Sequence, residues 1–386
     1  MYTLKHLEMK SIKLLLLGLI LVGCASPQQK TDTRPSLSVL DFGAVPDGVT
    51  DCTDAINSSI DSCSAVGGVL VFPEGTYRCR TVYLKDNVEL RLEKGAVLQG
   101  VEDAALYDHF VPRSDLSRYD SGQGSANSNC ASDTVWMKAM IIGNGVRNTA
   151  ITGEGTIDGL HVFNPEGEEG MRGPHTIVIA EATGFRLEGV TITRAANYAF
   201  LGYALDSALF RGVHITEGWD GIHIRGAKHV EIDSCTLETG DDCIAGGYWE
   251  DMLIHSSDIN SSCNGIRLIM PADGVEVRDC HFHGPGNYPH RTSGEARRNN
   301  MLFGIILQPG GWGSAPGDLD NVWLHDLTMD SLSSPLSVSI SEEAHGRNLK
   351  VENITATHVL GTMSPIVCWN DSGFDHIEVN GLNYSK

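Results

Sequence analysis

Residues 220–269, DGIHIRGAKHVEIDSCTLETGDDCIAGGYWEDMLIHSSDINSSCNGIRLI, carry the repeat that decides the fold. Ile222, Ile244 and Ile266 follow one another at intervals of 22 residues. The segments around them are short, rich in β-branched residues and bounded by turn residues, and none is long enough for an amphipathic helix. A period of this length indicates a solenoid, and strands without intervening helices predict a parallel β-helix. A β-propeller would need a period about twice as long.

Segments on both sides extend this pattern. Residues 88–100 and 148–159 alternate apolar and polar residues, and residues 346–386 continue the series of strands to the end of the chain. Residues 52–79 read as one helix followed by a strand, and such a helix would cover the open strand edges at the N-terminal end of the solenoid. We therefore predict one all-β domain, a parallel β-helix with an N-terminal capping helix.

The composition limits the partners of the chain. Its 386 residues contain 28 Lys and Arg against 49 Asp and Glu, a formal charge of −21, with 41% hydrophobic residues. This balance fits a soluble globular body, and it does not favour binding to nucleic acid or to an anionic membrane surface. An acidic polymer would need a local basic patch.

The N-terminal segment is typical of a leader and not of a folded element. From Met9 it has two lysines, an apolar run too short to span a bilayer, and the sequence LVGC ending at Cys24, which resembles the lipobox of bacterial lipoproteins. We predict a signal peptide over residues 1–24 with the true start at Met9, lipidation of Cys24, a tether over 25–36 and the catalytic domain over 37–386. The protein is then an exported lipoprotein of a bacterial outer membrane, on the cell surface or the periplasmic face.

The cysteines do not indicate a metal centre. Nine remain after Cys24, an odd number, and none forms a CxxC or Cys/His pair with the spacing of a zinc site. Several lie in strand-like segments, where a buried thiol acts as a small hydrophobic group. The sequence predicts no metal and no cofactor, and it assigns no disulfide pairing.

Three aspartates fall at equivalent positions of successive coils. Asp220 and Asp242 each stand two residues before one of the repeated isoleucines, and Asp241 adjoins the second of them. With coils stacked about 4.8 Å apart, all three acids converge on one face. Because clustered carboxylates repel each other, this arrangement is costly unless it serves a function. We interpret the cluster as a site.

The motifs around these acids resemble glycoside hydrolase family 28, the polygalacturonases and their relatives, from about residue 37 to the end of the chain. The most specific motif is GDDC with an aspartate one coil upstream. The resemblance implies a right-handed parallel β-helix within the pectate-lyase-like superfamily. The other segments that follow the family's order are SVLDFGAVPDGVTDCTDAI, GGVLVFPEGTY, ITGEGTIDG and ITRAANYAF.

The resemblance implies a division of labour among the acids. Asp241 is the general acid that protonates the departing glycosidic oxygen. Asp220 and Asp242 orient and deprotonate the attacking water, which inverts the anomeric carbon. A cluster of three acids holds one proton at neutral pH more readily than an isolated carboxylate, as this reaction requires.

The chain departs from the family pattern where sugars are bound. Gly218 and Trp219 replace an Asn and a Thr, Asn264 stands where the family has a histidine, and Ile306 and Gln308 stand where an Arg and a Lys bind the galacturonate carboxylate. These changes leave the acids in place but make polygalacturonate a doubtful substrate. The predicted substrate-binding residues are Asn264, His223, Arg267, Trp219 and Gln308.

Arg267 has two alternative roles. His223, Ala245 and Arg267 share the 22-residue spacing and alternate with the inward isoleucines, so they line one outer face. Arg267 either grips a carboxylate or sulfate of the sugar or pairs with a catalytic acid and holds it ionised. Weaker candidates for substrate contact are Trp312, Tyr248, Trp249, Glu342, Glu343, His345 and the arginines 291, 297 and 298 of the insertion YPHRTSGEARRNN.

Three functions are compatible with these residues. The first is an inverting glycoside hydrolase acting on a plant or algal polysaccharide or oligosaccharide. The second is a lyase or epimerase on the same fold, with calcium at the acids and a Lys or Arg as the base. The third is a non-catalytic β-helix that binds glycans. A shared solenoid does not by itself name the substrate.

Overall fold

The computed structural model describes residues 33–121, 129–291, 298–361 and 375–386, and residues 34–386 form one compact unit. The predicted leader, the lipidation site Cys24 and most of the tether lie outside the described residues, as do Arg297 and Cys368. In the part of the chain that is described, no helix combines the length and hydropathy needed to cross a membrane.

The described part of the chain is built from short strands and one α-helix, Thr53–Val66 (α1). Short 3-10 turns lie at Val39–Phe42, Ala104–Leu106, Ser117–Tyr119, Glu168–Gly170 and Gly311–Gly313. The strands are β1 Ser36–Ser38, β2 Asp47–Asp51, β3 Val69–Phe72, β4 Gly75–Arg78, β5 Val82–Tyr83, β6 Glu89–Leu92, β7 Ala96–Gln99, β8 Ala139–Asn144, β9 Ala150–Gly153, β10 Thr156–Asp158, β11 His175–Ala180, β12 Arg186–Glu188, β13 Thr191–Thr193, β14 Phe200–Asp206, β15 Leu209–Arg211, β16 His214–Thr216, β17 Ile222–Asp233, β18 Thr236–Thr239, β19 Ile244–His255, β20 Asp258–Ser261, β21 Asn264–Leu268, β22 Ala272–Arg278, β23 His281–His283, β24 Met301–Leu307, β25 Leu319–Asp330, β26 Leu332–Val338, β27 Gly346–Thr357 and β28 Ile377–Tyr384.

The strands form three parallel ladders that run from coil to coil. One of them, called here the site ladder, pairs β5, β8, β11, β14, β17, β19, β21, β24 and β26 in that order. Each coil therefore adds one strand to each ladder, which is the topology of a right-handed parallel β-helix. The predicted fold class is confirmed.

The interior of the solenoid is a column of aliphatic side chains. Ile222, Ile244 and Ile266 pair directly on β17, β19 and β21, followed by Ile305 and Leu336 on the next two coils, and all five are fully buried. The 22-residue spacing thus predicted the register correctly. Because side chains alternate along a strand, the residue after each of these points out of the column. This face carries the site.

Helix α1 packs on the first coil, as predicted. Ile56, Ile60 and Cys63 recur at helical spacing on its buried face and join the interior column. The helix ends at Gly67, whose left-handed conformation (φ 67°) lets its backbone N–H reach the carbonyls of the last turn. Burial of each isoleucine contributes about 1.5–3 kcal/mol, so the cap is held by apolar contact.

The cysteines of the described residues are free thiols. Seven of the eight are buried and only Cys130 is partly exposed. Burial raises the pKa of Cys235 and of Cys243 to about 12, so these groups stay protonated and behave as small hydrophobic side chains.

Candidate functional site

A cavity of about 410 Å³ opens on the outer face of the site ladder. The strands β17, β19, β21 and β24 form its floor, because His223, Ala245, Arg267 and Ile306 lie opposite one another in register. The predicted alignment of the first three is confirmed. The cavity is lined by Ser121, Asn129, Glu168, Glu169, Arg172, Tyr198, Asp220, His223, Arg225, Asp241, Asp242, Ala245, Cys263, Asn264, Arg267, Ile269, His290, Arg298, Leu302, Phe303, Ile306 and Trp312.

All three predicted catalytic aspartates lie in this cavity. Asp220 and Asp242 are each 4% exposed, and Asp241 between them is partly exposed. One carboxylate oxygen of Asp241, one of Asp242 and the sulfur of Cys263 lie within 4.8 Å of one another. The turns that precede β17 and β19 deliver the acids to the same place because successive coils repeat the same backbone path.

Asp220 is held by a histidine from its own strand. Its Oδ2 lies 2.7 Å from Nδ1 of His223, and the imidazole stacks on Tyr198 with ring centres 4.7 Å apart and an interplanar angle of 6°. Nε2 of His223 accepts a hydrogen bond from Nε of Arg225 at 3.1 Å. His223 thus contacts an acid of the site instead of standing free for the sugar.

Asp241 lies against two basic side chains from irregular segments of the chain. Its Oδ2 is 3.3 Å from Nη2 of Arg172 and 3.4 Å from Nε2 of His290. Arg172 is itself anchored by Glu169, at 2.9 Å, and its guanidinium lies 3.8 Å from the ring centre of Trp219. The described residues of the insertion YPHRTSGEARRNN (288–300) reach the cleft, where His290 contacts Asp241 and Arg298 lines the cavity.

Asp242 faces the next coil. Its Oδ1 accepts a hydrogen bond from Nδ2 of Asn264 at 2.7 Å, and its Oδ2 lies 3.5 Å from Nη1 of Arg267. The contact to Arg267 is long, the Nε of Arg267 has no partner among the described atoms, and its guanidinium lies 5.2 Å from the ring centre of Trp312. Arg267 therefore faces an acid at the limit of hydrogen-bond distance, and its buried Nε has no hydrogen-bond partner in the described part of the chain.

The three carboxyls differ in proton affinity. Burial raises the pKa of Asp220 well above its ordinary value, and the charges of Asp241 and Asp242 raise it further. Burial also raises the pKa of Asp242, although the charge of Arg267 opposes this. Burial would raise the pKa of Asp241 too, but the hydrogen bond from His290 and the charge of Arg172 lower it below its ordinary value. The contacts of Asp241 thus favour its ionised form, whereas the burial of Asp220 favours its protonated form.

The resemblance implies that Asp241 holds the catalytic proton, and this role stays a prediction. The side chains of Arg172 and His290 lie beside Asp241, and neither residue belongs to the motifs that carry the resemblance, so the sequence alone did not show these contacts.

The structure contradicts two of the predicted substrate contacts, Trp219 and Gln308. Trp219 is only 1% exposed, because Arg172 covers its ring, so it cannot stack on a sugar. Gln308 is exposed and does not line the cavity. The aromatic ring that the cavity does offer is that of Trp312, which is 52% exposed. Asn264, His223 and Arg267 line the cavity as expected, and the first two hold acids.

The weaker candidates divide between three places. Arg298 lines the cavity, and Arg291 lies 2.6 Å from His161 and ties down the insertion. Tyr248 and Trp249 line a separate cavity of about 470 Å³. Glu342, Glu343 and His345 are exposed and line neither cavity.

Several site residues were missed by sequence reasoning. Arg172 lies in an irregular segment after β10 without any recognisable motif, so no signal marked it. For Arg225 the sequence did contain a signal. The stretch HIR at residues 223–225 puts two polar residues on the outward side of an otherwise apolar strand. Both are buried below 6%, which only the folded structure shows.

The donor set does not fit calcium. Ca²⁺ takes six to eight oxygen ligands, whereas the cluster near Asp241 and Asp242 offers a thiol whose pKa is strongly raised by burial. Arg172 and Arg267 already supply positive charge to these acids. The positive charge beside these acids thus comes from arginine side chains. This disfavours the lyase alternative, in which calcium binds at the acids.

Comparison with known proteins agrees with the fold. A probable polygalacturonase of Vitis vinifera is 25% identical over 54% of this chain and 44% of its own length, and an exo-poly-alpha-D-galacturonosidase of Dickeya chrysanthemi is 24% identical over 56% and 42%. The chain thus matches less than half the length of these relatives. An exopolygalacturonase structure from Thermotoga maritima superposes with a TM-score of 0.62 at 16% identity, covering 90% of this chain and 92% of that one. Residues 36–301 match the family model described as rhamnogalacturonase A/epimerase, pectate lyase-like, and the chain belongs to this family.

Proposed function

We propose that the protein is an inverting glycoside hydrolase. The observation that carries this proposal is the cavity in which three carboxylates from successive coils sit in different electrostatic environments. Hydrolysis with inversion needs one carboxyl that gives a proton and one carboxylate that receives one from water. Polygalacturonase relatives support hydrolysis on this fold.

The resemblance supplies the roles within the cluster in this proposal. Asp241 protonates the glycosidic oxygen as the bond to the leaving group breaks, and Asp220 and Asp242 orient the water that attacks the anomeric carbon from the opposite side and accept its proton. Arg172 and His290 lower the pKa of Asp241 in the free site, and catalytic hydrogen bonds change when substrate binds. Asn264 and Arg267 hold Asp242 in place.

The substrate in this proposal is an anionic glycan of plant or algal origin, either a polymer or an oligosaccharide. Arg172, Arg267, His290 and Arg298 line one side of the cavity, and a planar guanidinium suits the geometry of a carboxylate or sulfate. The exposed ring of Trp312 lies beside Arg267 and can pack on the apolar face of a pyranose. The relatives act on galacturonan by their names, and sulfated glycans share the required charge.

A release assay with a substrate panel tests the proposal. Pectic, sulfated algal and neutral glycans are incubated with the wild type, Asp241→Asn and Asp220→Asn, with and without a chelator, and new reducing ends are counted. We expect the wild type to release reducing ends from one anionic glycan. The rate of release should fall at least 100-fold in both variants, and the chelator should not change the rate of the wild type. An ultraviolet-absorbing unsaturated product would instead show a lyase, and binding without release would show a glycan-binding module.

Export remains a proposal that rests on the sequence. The leader, the LVGC motif and the polar tether support a lipid-anchored protein of a bacterial outer membrane. This location suits an enzyme whose substrate is too large to enter the cell.

A further inference from the structure

The row of side chains that forms the floor of the cavity continues beyond the cavity and is buried there. His223 on β17 pairs with Leu201 on β14, and the same row runs on through Val178 on β11 to Ile142 on β8. Leu201 and Val178 are fully buried and Ile142 is 4% exposed. The outward face of the site ladder is therefore accessible from β17 onward and covered on the three preceding coils.

The cover is a segment of the chain itself. Residues 100–138, between β7 and β8, are called here the covering segment. Four of its described side chains join this row in a second apolar core, separate from the interior column: Phe110, Leu116, Trp136 and Met137. Close-packed apolar contacts of this kind leave no channel for a polymer. A glycan that lies in the cavity thus cannot run on along the ladder toward β14.

A buried arginine fixes the edge of the covering segment at the end of the cavity. Arg225 on β17 is fully buried, and its Nη1 donates to the backbone carbonyls of Asn129 and Tyr119, at 2.7 and 3.3 Å. Its guanidinium also lies 5.1 Å from the ring centre of Trp136. The described residues of the covering segment are in this way tied to the strand that bears the first acid.

Two polar side chains at this edge lack partners. Ser121 and Asn129 line the cavity and are 1% and 2% exposed. Oγ of Ser121 and Oδ1 of Asn129 have no hydrogen-bond partner among the described atoms. A buried polar atom without a partner costs free energy, which a ligand that reaches it relieves. A sugar hydroxyl donates and accepts, so it suits both atoms, whereas a carboxylate or sulfate has no donor for the amide oxygen.

This end of the cavity is close to the acids. Nε of Arg225 donates to Nε2 of His223 at 3.1 Å, and Nδ1 of His223 lies 2.7 Å from Oδ2 of Asp220. One guanidinium and one imidazole therefore separate Asn129 from Asp220. The whole cavity has about 410 Å³, near the lower end of the range of about 300–1,000 Å³ for small-ligand sites. Only a short piece of a glycan fits between the closed end and the acids.

We propose that the closed end is a subsite for the terminal unit of a glycan, where Ser121 and Asn129 bind its hydroxyl groups, and that the protein cleaves its substrate from a chain end. This inference rests on the proposed hydrolysis and adds the place at which the chain is cut. The rest of the glycan leaves the cavity on the side of Trp312, which is 52% exposed.

The product pattern of the wild type tests the mode of cleavage. The anionic glycan that the release assay identifies is labelled with a fluorophore at its reducing end, and the products are separated by size early in the reaction. We expect one short product from the start and little loss of viscosity for each bond broken. A labelled short product would show cleavage from the reducing end, and an unlabelled one cleavage from the non-reducing end. A ladder of intermediate sizes with a rapid loss of viscosity would overturn the proposal.

Two variants test the subsite. Ser121→Ala and Asn129→Gly remove the two side-chain partners, and glycine tolerates the positive φ (25°) of Asn129. Contacts to a terminal unit bind substrate and transition state alike, so KM should rise about fivefold or more in each variant while kcat changes less than about twofold. Ser114→Ala, at an exposed position of the covering segment, is the control and should change neither constant. An unchanged KM in both variants would refute the subsite.

Binding tests the subsite without turnover. A galacturonate trimer and a sulfated galactan tetramer are titrated into Asp241→Asn by calorimetry, each with free hydroxyls and with the hydroxyls of one or the other terminal unit O-methylated. We expect methylation of one terminal unit to weaken binding about tenfold or more, and this difference to shrink when Ser121→Ala is added. Equal affinities of the free and methylated forms, or no binding of either probe, would overturn the subsite. If the wild type hydrolyses no glycan, the proposed function fails, whereas these affinities still decide the subsite.

Discussion

At the scale of single residues, three aspartates of identical chemistry acquire different roles from their neighbours. Asp241 meets a buried guanidinium and an imidazole, Asp242 meets an amide and a more distant guanidinium, and Asp220 meets a neutral imidazole. Charges that lie within about 4 Å shift a carboxyl pKa by 1–3 units. The neighbours of each carboxylate therefore decide which one holds the proton.

Leaving-group dependence identifies the general acid. We expect Asp241→Asn to retain activity on an aryl glycoside of low leaving-group pKa while it loses activity on the natural glycan, because a good leaving group needs no protonation. Asp220→Asn should lose activity on both substrates, since water activation is still required. The opposite pattern would move the acid role to Asp220.

The raised pKa of Asp220 predicts a pH-dependent cost of stability. The folded protein keeps a proton on this carboxyl that the unfolded chain releases above about pH 3.9, so the stability of the wild type falls as the pH rises toward the folded pKa. Asp220→Asn cannot ionise. We expect it to gain about 1–3 kcal/mol over the wild type at pH 7.5 and little near pH 4, measured by urea unfolding.

The exposed substitution Asp41→Asn is the control for this measurement and should show no such trend. A gain for Asp220→Asn that is equal at both pH values would show that relief of burial, and not ionisation, stabilises the variant.

Arg267 is expected to act on both substrate and acid. Its charge lowers the pKa of Asp242 and of Asp241, so Arg267→Ala should move the acidic limb of the kcat/KM profile to higher pH. Loss of the guanidinium should also raise KM for an anionic substrate about tenfold or more. If the acidic limb of the kcat/KM profile shifts while KM stays unchanged, Arg267 pairs with the acid and does not bind the substrate.

At the scale of elements, the repeating strands place the acids, and the irregular segments between them set the charges. β17, β19 and β21 bring Asp220, Asp242 and Arg267 together through register alone. The segments after β10 and β23 supply Arg172 and His290. A strand register follows from hydrophobic periodicity, whereas the path of a long insertion depends on contacts far along the chain.

Helix α1 should matter for stability and not for catalysis. Ile60 is fully buried in the column, so Ile60→Ala should lower the free energy of unfolding by about 2–5 kcal/mol while kcat/KM stays within twofold at a temperature where the variant is folded. The exposed neighbour Ser58→Ala is the control, with a change below about 0.5 kcal/mol. An activity loss in the folded variant would mean that the cap also shapes the site.

At the scale of the whole molecule, the LVGC motif of the N-terminal segment predicts a lipid anchor at Cys24. The predicted anchor is testable by expressing the full chain in a bacterium with labelled palmitate. We expect the wild type to carry the label and to fractionate with the membrane, and Cys24→Ser to do neither, because a serine lacks the thiol to which the diacylglyceryl group is joined. Equal labelling of Cys24→Ser would refute the anchor.

The sequence by itself determined the solenoid, its register and the three acids. A 22-residue period fixes which side chains meet on neighbouring coils, so the column of Ile222, Ile244 and Ile266 and the meeting of Asp220 with Asp242 could be read from spacing. Local periodicity suffices here because each coil contacts only its neighbours.

Only the tertiary structure decided how the acids are charged and what the cavity offers a substrate. Arg172 and His290 reach Asp241 from insertions separated from it by 69 and 49 residues in the chain, and Arg172 covers Trp219 while Trp312 stays exposed. Proton affinity depends on burial and on the few ångströms between charges. Those distances arise from the packing of irregular segments, which no repeat in the sequence encodes.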